Sequence, residues 1–247
     1  MLPTSEEPPA PPRVRIAVPS WFHAVPTHRD PDERRAALFA LAARVLPEGG
    51  PDAHRALAML CDRQAVELSR KPVLYHGFSY LVADGRASMS SLLAALEPGD
   101  RLDADLAAKR IAARYEREAG RYRVERRLLP CGPAVVVVAG FSAPVPTRFG
   151  GRPEPAVVPV AYAQAVVPVP DVPYLLVLRL TTPSLADWAE YCQVMVSVLR
   201  SIRFERPGPA PLAGPDSARG SALVGLGQPV AAAGQQLEPG DAGDRQP

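Results

Sequence analysis

What the chain lacks narrows it first. Only two of its 28 cationic residues are lysine, and 26 carboxylates leave a net charge of +2 over 247 residues. A balance so close to zero gives no electrostatic case for nucleic acid or a charged membrane surface as partner. Cysteine is scarce too. Cys61, Cys131 and Cys192 stand far apart and are odd in number, which fits buried free thiols in a reducing compartment better than a disulfide frame. No apolar run is long enough to cross a bilayer. The first residues lack the basic and apolar regions of a signal peptide. The expectation is a cytoplasmic protein with no membrane insertion. His23, His28, His54 and His76 make no i, i+4 pair, and no Cys-x-x-Cys occurs, so neither metal nor cofactor is expected. The shortage of lysine beside abundant Arg, Ala, Pro, Gly and Val suggests a GC-rich bacterial genome.

Proline is plentiful, and its placement marks out the domain. Residues 1–12 are Pro-rich and acidic, and residues 206–247 are rich in Pro, Gly and Ala. Both have little to bury and read as disordered head and tail. The tail's only apolar patch, residues 223–226, leaves ordering on a partner open. Between them, residues 13–205 form one α+β domain, within the usual size range and long enough for a core without staples.

The rest of the domain is organised around residues 156–205. Residues 174–180 are a short apolar run broken by Arg179 and flanked by prolines, the signature of a buried strand. The turn at Pro170, Asp171, Val172 and Pro173 folds residues 157–169 antiparallel onto it. Pro159 and Pro168 remove ladder donors, which places that first strand at a sheet edge. Thr181, Thr182 and Pro183 read as a hydroxyl N-cap with Pro at the first helical position. The helix that follows puts Leu185, Trp188, Cys192, Met195, Leu199 and Ile202 on one stripe, read as its core face. Tyr191, Val194 and Val198 form a second ridge. The helix is then either covered on both sides or meets a partner.

Earlier in the chain, residues 14–18 predict a first strand, and Trp21 and Phe22 follow in a loop. These two aromatics either plug one end of the core or offer a ligand platform. Asp30, Pro31 and Glu33 mark a helix start with a capping box. Leu38, Leu41, Ala42 and Val45 give that helix its apolar face. A second helix opens at Pro51 and Asp52, with Leu57, Leu60, Cys61 and Leu68 inward and Arg55, Asp62, Arg63 and Glu67 largely outward. The two form a helical hairpin. Residues 73–83 predict a strand, and Asp84-Gly85 is a two-residue hairpin signal. Residues 87–96 have helical spacing at Met89, Leu92, Leu93 and Leu96. The turn before them, and the need for a sheet to cover the helices, still make them a strand.

Asp100 or Asp103 caps a third helix running to about residue 119, stopped by Gly120. In residues 121–129, Tyr122, Val124 and Leu128 alternate with Arg123, Glu125 and Arg127, a half-buried strand. Residues 134–139 read as a central, fully covered strand. Residues 142–155 read as a Pro/Gly loop.

No catalytic constellation emerges. Gly140, Phe141 and Ser142 superficially match a nucleophile elbow but lack its second glycine and the helix that should follow. Cys131 is the one thiol in a turn; as a nucleophile it would need a nearby base or cation. The basic run from Lys109 to Arg127 is interleaved with Glu116, Glu118 and Glu125 and reads as a solvated surface.

In order, these elements resemble the Mog1/PsbP-like fold of actinobacterial LpqN-like proteins. The likeness rests on residues 18–21, on the 129–134 turn with Pro130, Cys131 and Gly132, and on the closing pattern of Val167, Pro168, Thr182, Pro183 and residues 201–204. It implies an antiparallel sheet of about six or seven strands flanked by helices, in a group that acts by binding or assembly rather than catalysis. The chain departs from the lipoprotein members in showing no export signal or lipobox, and in its helical hairpin.

The function expected is non-enzymatic docking to another protein, with Trp21, Phe22, Tyr191, Val194 and Val198 as binding residues. The partner is unidentified, and a homodimer stays open. The alternatives are a hydrolase or transferase using Cys131, and a small-ligand carrier with its pocket between sheet and helices near Trp21 and Trp188.

Overall fold

The computed structural model describes residues 11–68, 72–83, 85–118, 120–145 and 156–205. Apart from residues 11 and 12, the head and tail expected to be disordered lie outside the described residues. In chain order the described elements are β1 (Arg13–Arg15), β2 (His23–Ala24), α1 (Pro31–Val45), α2 (Pro51–Leu68), β3 (Val73–Ala83), β4 (Arg86–Pro98) and α3 (Ala104–Glu116). They continue with β5 (Arg123–Leu129), β6 (Gly132–Val145), β7 (Ala156–Pro168), β8 (Tyr174–Thr182), α4 (Trp188–Ser201) and β9 (Arg203–Glu205). Seven strands make one antiparallel sheet in the order β2-β3-β4-β8-β7-β6-β5. The α+β architecture read from the sequence is the one observed.

The strand broken by Arg179 is the middle one. Leu176, Leu178 and Leu180 are wholly buried on one face of β8, and Arg179 points to the other. Registers carry that parity across the sheet: Leu178 lies opposite Ala94 and Ala165, and Arg179 opposite Leu93 and Gln164. α4 covers the first face. Tyr191, Met195, Val198, Leu199 and Ile202 pack there with Leu92, Leu96, Val167, Val14 and Phe22. Each such side chain stabilises by at most roughly 1.5–3 kcal/mol.

The second face has two separate covers. At one end the α1–α2 hairpin buries Leu38, Leu41, Val45, Cys61 and Ala65 over Phe78 of β3. At the other, α3 lays Ala108 and Ala112 on Val135 and Val137 of β6.

Several local signals act as read. Asp30 Oδ1 accepts from the backbone N–H of Asp32 and Glu33, and Pro31 opens α1. Asp103 caps α3 in the same way. Ala83 pairs with Arg86, leaving a two-residue connection in which Gly85 has φ +71. The 87–96 segment is strand, despite its helical spacing.

Other expectations change. The first strand, expected over residues 14–18, is only Arg13–Arg15, and it pairs with β9 in a two-stranded ribbon apart from the main sheet, closed by an Arg15–Glu205 ion pair. β7 is an interior strand, not an edge. Its prolines are tolerated because pairing with β8 begins only at Ala161, beyond Pro159, and Pro168 is the strand's last residue. β6 is next to the edge and covered only in part, and it runs on through Val145 where a loop was expected. Leu128, expected inward, is 86 % exposed on edge strand β5.

The Thr182 cap also resolves differently. Its hydroxyl donates to the Met89 carbonyl at 2.6 Å and accepts from Ser184 N–H, while Ser184 Oγ accepts from Met89 N–H at 3.0 Å. The two hydroxyls thus take over from the β4–β8 ladder, which stops at Ser91 and Thr181. A 3₁₀ turn at Leu185–Asp187 intervenes, and α4 starts only at Trp188. That shift turns the helix. Leu185 is 44 % exposed, Trp188 and Cys192 are half-buried, and Tyr191 and Val198 lie at the centre of the buried face.

Candidate functional site

Between its two covers, the second sheet face is open. β6 and β7 pair from Val145 and Ala156 onward, but β8 joins β7 only at Ala161. The ends of β6 and β7 therefore project past the sheet body as a two-stranded arm. On the arm, alternation turns Phe141, Ala143, Val158 and Val160 to the second face. Facing them from α2, Leu57, Leu60 and Gln64 recur at helical spacing beside the stripe of Cys61 and Ala65 that packs inward.

Arm and helix bound a cleft of about 680 Å³, floored by Phe78, Met89, Ser91 and Thr181. Its lip is apolar. Leu60 is 42 % and Phe141 50 % exposed, although Leu60 was expected in the core. The α2 wall is held in place by a partly buried ion pair: Arg34 Nε of α1 lies 2.6 Å from Asp62 Oδ1, and Arg34 Nη1 donates to the His28 carbonyl. Asp62, read as outward-facing, is thus engaged between the helices.

The cleft shares Phe141 and Thr181 with a smaller one of about 250 Å³, lined also by Arg121, Tyr122, Tyr162 and Arg179. Here the second face turns polar. Gln164, only 5 % exposed, receives two N–H bonds on Oε1 from Arg179, through Nε at 2.7 Å and through Nη2. Gln164 Nε2 in turn donates to Tyr115 Oη at 2.7 Å. The Arg179 guanidinium stands 5.2 Å from the centroid of the Tyr162 ring. Burial, then the neighbouring Tyr122, raises the Tyr162 phenol above its ordinary range, so it stays protonated.

The residues picked from sequence lie elsewhere. Tyr191 and Val198 are 4 % and 0 % exposed, inside the core under α4, and Phe22 is 5 % exposed there too. Trp21, Trp188 and Val194 are half-buried against the same core. All of them sit on the first face, which α4 fills. The open space between sheet and helices is on the opposite one.

Cys131 lies in the β5–β6 turn beside a hollow bounded by Pro130, Asp171, Val172 and Arg203, with no histidine in its lining. Burial pushes its thiol up, offset in part by its own backbone hydrogen bond and by Arg203. Nothing there generates a thiolate at neutral pH. Cys61, on the wall of the large cleft, is pushed up to about 11 by burial.

Among the described residues, no three His, Cys, Asp or Glu side chains gather to hold a metal ion, and no helix is long and apolar enough to cross a membrane. The basic run on α3 and β5 is partly self-paired, through Lys109–Asp105, Arg121–Glu118, and Arg123 and Arg127 on Glu125.

One signal in the sequence pointed to this site: Arg179, the lone charge in an apolar strand. The cleft wall had none, because Leu57 and Leu60 are indistinguishable in sequence from core leucines. Comparison with known proteins gives no match, whether to a family model, a curated protein or a solved structure.

Proposed function

We propose that the chain is a non-enzymatic binding protein whose site is the cleft between α2 and the β6–β7 arm, and that its ligand is a small apolar molecule. The observation carrying this reading is the cleft itself: about 680 Å³, walled by aliphatic side chains of α2 on one side and by Phe141 and the aliphatic residues of the arm on the other, over a sheet floor. That size and composition are typical of small-molecule sites. Its lining offers a protonated thiol, two hydroxyls on the cleft face (Ser91 and Thr181) and one amide, but no His, Asp or Glu to act as a general base. Such a lining can hold a ligand but has nothing to activate it.

Docking of a protein through the Tyr191–Val198 ridge is less favoured, since both side chains are enclosed. The resemblance to Mog1/PsbP-like proteins belongs to the same proposal. It is supported by the antiparallel sheet between helices, and by that group's use of the fold for binding.

The test is titration with an uncharged environment-sensitive fluorophore, N-phenyl-1-naphthylamine. Saturable emission enhancement is expected at about one site per chain. Leu60→Glu, at the exposed lip, should abolish it. Leu106→Glu, at a position on α3 that is 43 % exposed and away from the cleft, should not. Non-saturable enhancement, or equal binding by both variants, would overturn the assignment.

A further inference from the structure

The polar end of the trough specifies more than an apolar ligand. From the Arg179 geometry we infer that the site takes an amphiphile with a single apolar tail and a carboxylate head, the chemistry of a free fatty acid. The inference rests on the cleft being the binding site, and adds what its charged end selects.

Arg179 stands solvent-exposed on the uncovered second face of the middle strand, open to a ligand as well as to water. The neighbours of Arg179 do not neutralise it: Gln164 and Tyr162 are uncharged, and among the described residues no carboxylate pairs with it. They do orient it. Gln164 Oε1 takes the Nε and one Nη2 hydrogen, and Tyr162 lies across the guanidinium plane. Of the five N–H donors of an arginine, the set left over is the outer edge, where Nη1 and Nη2 present a parallel pair. That fork matches the two oxygens of a carboxylate.

One full positive charge is available there. Arg121, the other cation lining the small cleft, is already 3.3 Å from Glu118, so a monoanion is matched better than a phosphate dianion. No carboxylate lines either cleft to repel it. Phe141 and Thr181, common to both clefts, make the apolar trough continuous with the guanidinium. A tail lying along Leu57, Leu60 and Val160 would bring its head to Arg179.

The experiment uses the full chain at pH 8, with N-phenyl-1-naphthylamine bound and displaced by dodecanoate, dodecanol, dodecylammonium or dodecyl phosphate below their micellar concentrations. Dodecanoate should displace at least tenfold more effectively than dodecanol, and dodecylammonium least of all. Arg179→Gln should bring the acid down to the level of the alcohol while leaving the alcohol unchanged. Arg179→Lys, which keeps the charge but not the fork, should retain part of the preference. Equal displacement by acid and alcohol, or a preference that survives Arg179→Gln, would overturn the head-group assignment and leave the apolar site standing. Stronger displacement by dodecyl phosphate would overturn the choice of carboxylate. Failure of the fluorophore itself to bind would instead remove the site on which the inference rests.

Discussion

His76 shows how a single side chain can set the response of the fold to acid. It lies on the second face of β3, 7 % exposed, and its Nδ1 has no hydrogen-bond partner among the described residues. Burial lowers the imidazole from 6.5 to about 4. In the unfolded chain it regains its ordinary affinity for protons, so between those values the unfolded state binds the extra one. Stability that is whole above pH 6.5 is therefore lost as pH falls towards 4. His23 is lowered as well, by burial and then by Arg44, and adds in the same direction. Between pH 7 and pH 5, His76 should cost about 2 kcal/mol. Urea unfolding at the two values measures the loss, and His76→Leu should flatten it. An equally steep loss in the variant would place the acid sensitivity in other groups. Gly77, its neighbour, is constrained differently: a Cβ there would run into the Tyr75 ring, whose hydroxyl donates to the Phe22 carbonyl at 3.0 Å.

At the scale of elements, α4 is fastened to the sheet by polar contacts as well as by its apolar face. Ser88 and Tyr191 share a buried hydrogen bond of 2.8 Å, and Arg86 pairs with Asp187 at the start of the helix. Tyr191→Phe should cost about 1–3 kcal/mol, because it leaves the Ser88 hydroxyl buried without a partner. Adding Ser88→Ala should restore part of that. A neutral Tyr191→Phe in urea unfolding would show that packing alone holds the helix. Element identities were largely legible in the sequence. Caps at Asp30 and Asp103 act through neighbours two and three residues away, and the hairpin turn at Gly85, between paired Ala83 and Arg86, is equally local. Faces were less legible. The rotation of α4, the outward turn of Leu60 and Leu128, and the second role of Thr182 all depend on partners about 90 or more residues away or on space left open by other elements.

For the whole molecule, the middle position of β8 has a dynamic consequence. Its amides are paired on both sides, with β4 and β7, and its first face is under α4. Opening there requires separating the core, so amide hydrogen exchange in β8 and in β7 from Ala161 on should be slowest and track global unfolding. Exchange in the edge strands β2 and β5 should be faster by orders of magnitude. Uniform protection across the sheet would contradict this arrangement. The same layout explains the site. Two covers of limited width, α1–α2 and α3, cannot span the second face of seven strands, and the uncovered middle is where the cleft and Arg179 are found.

Local chemistry along the chain determined which segments are helix or strand, where most of them turn, and that apolar residues suffice for a core. Those outcomes rest on φ/ψ preferences, capping and periodicity, which act over a few residues. Tertiary structure alone decided that β8 is central, that β7 is interior in spite of its prolines, and that the open space lies opposite the tryptophans. Strand order and the coverage of a face are set by which distant surfaces meet, and a leucine at a cleft lip carries the same side chain as one in the core.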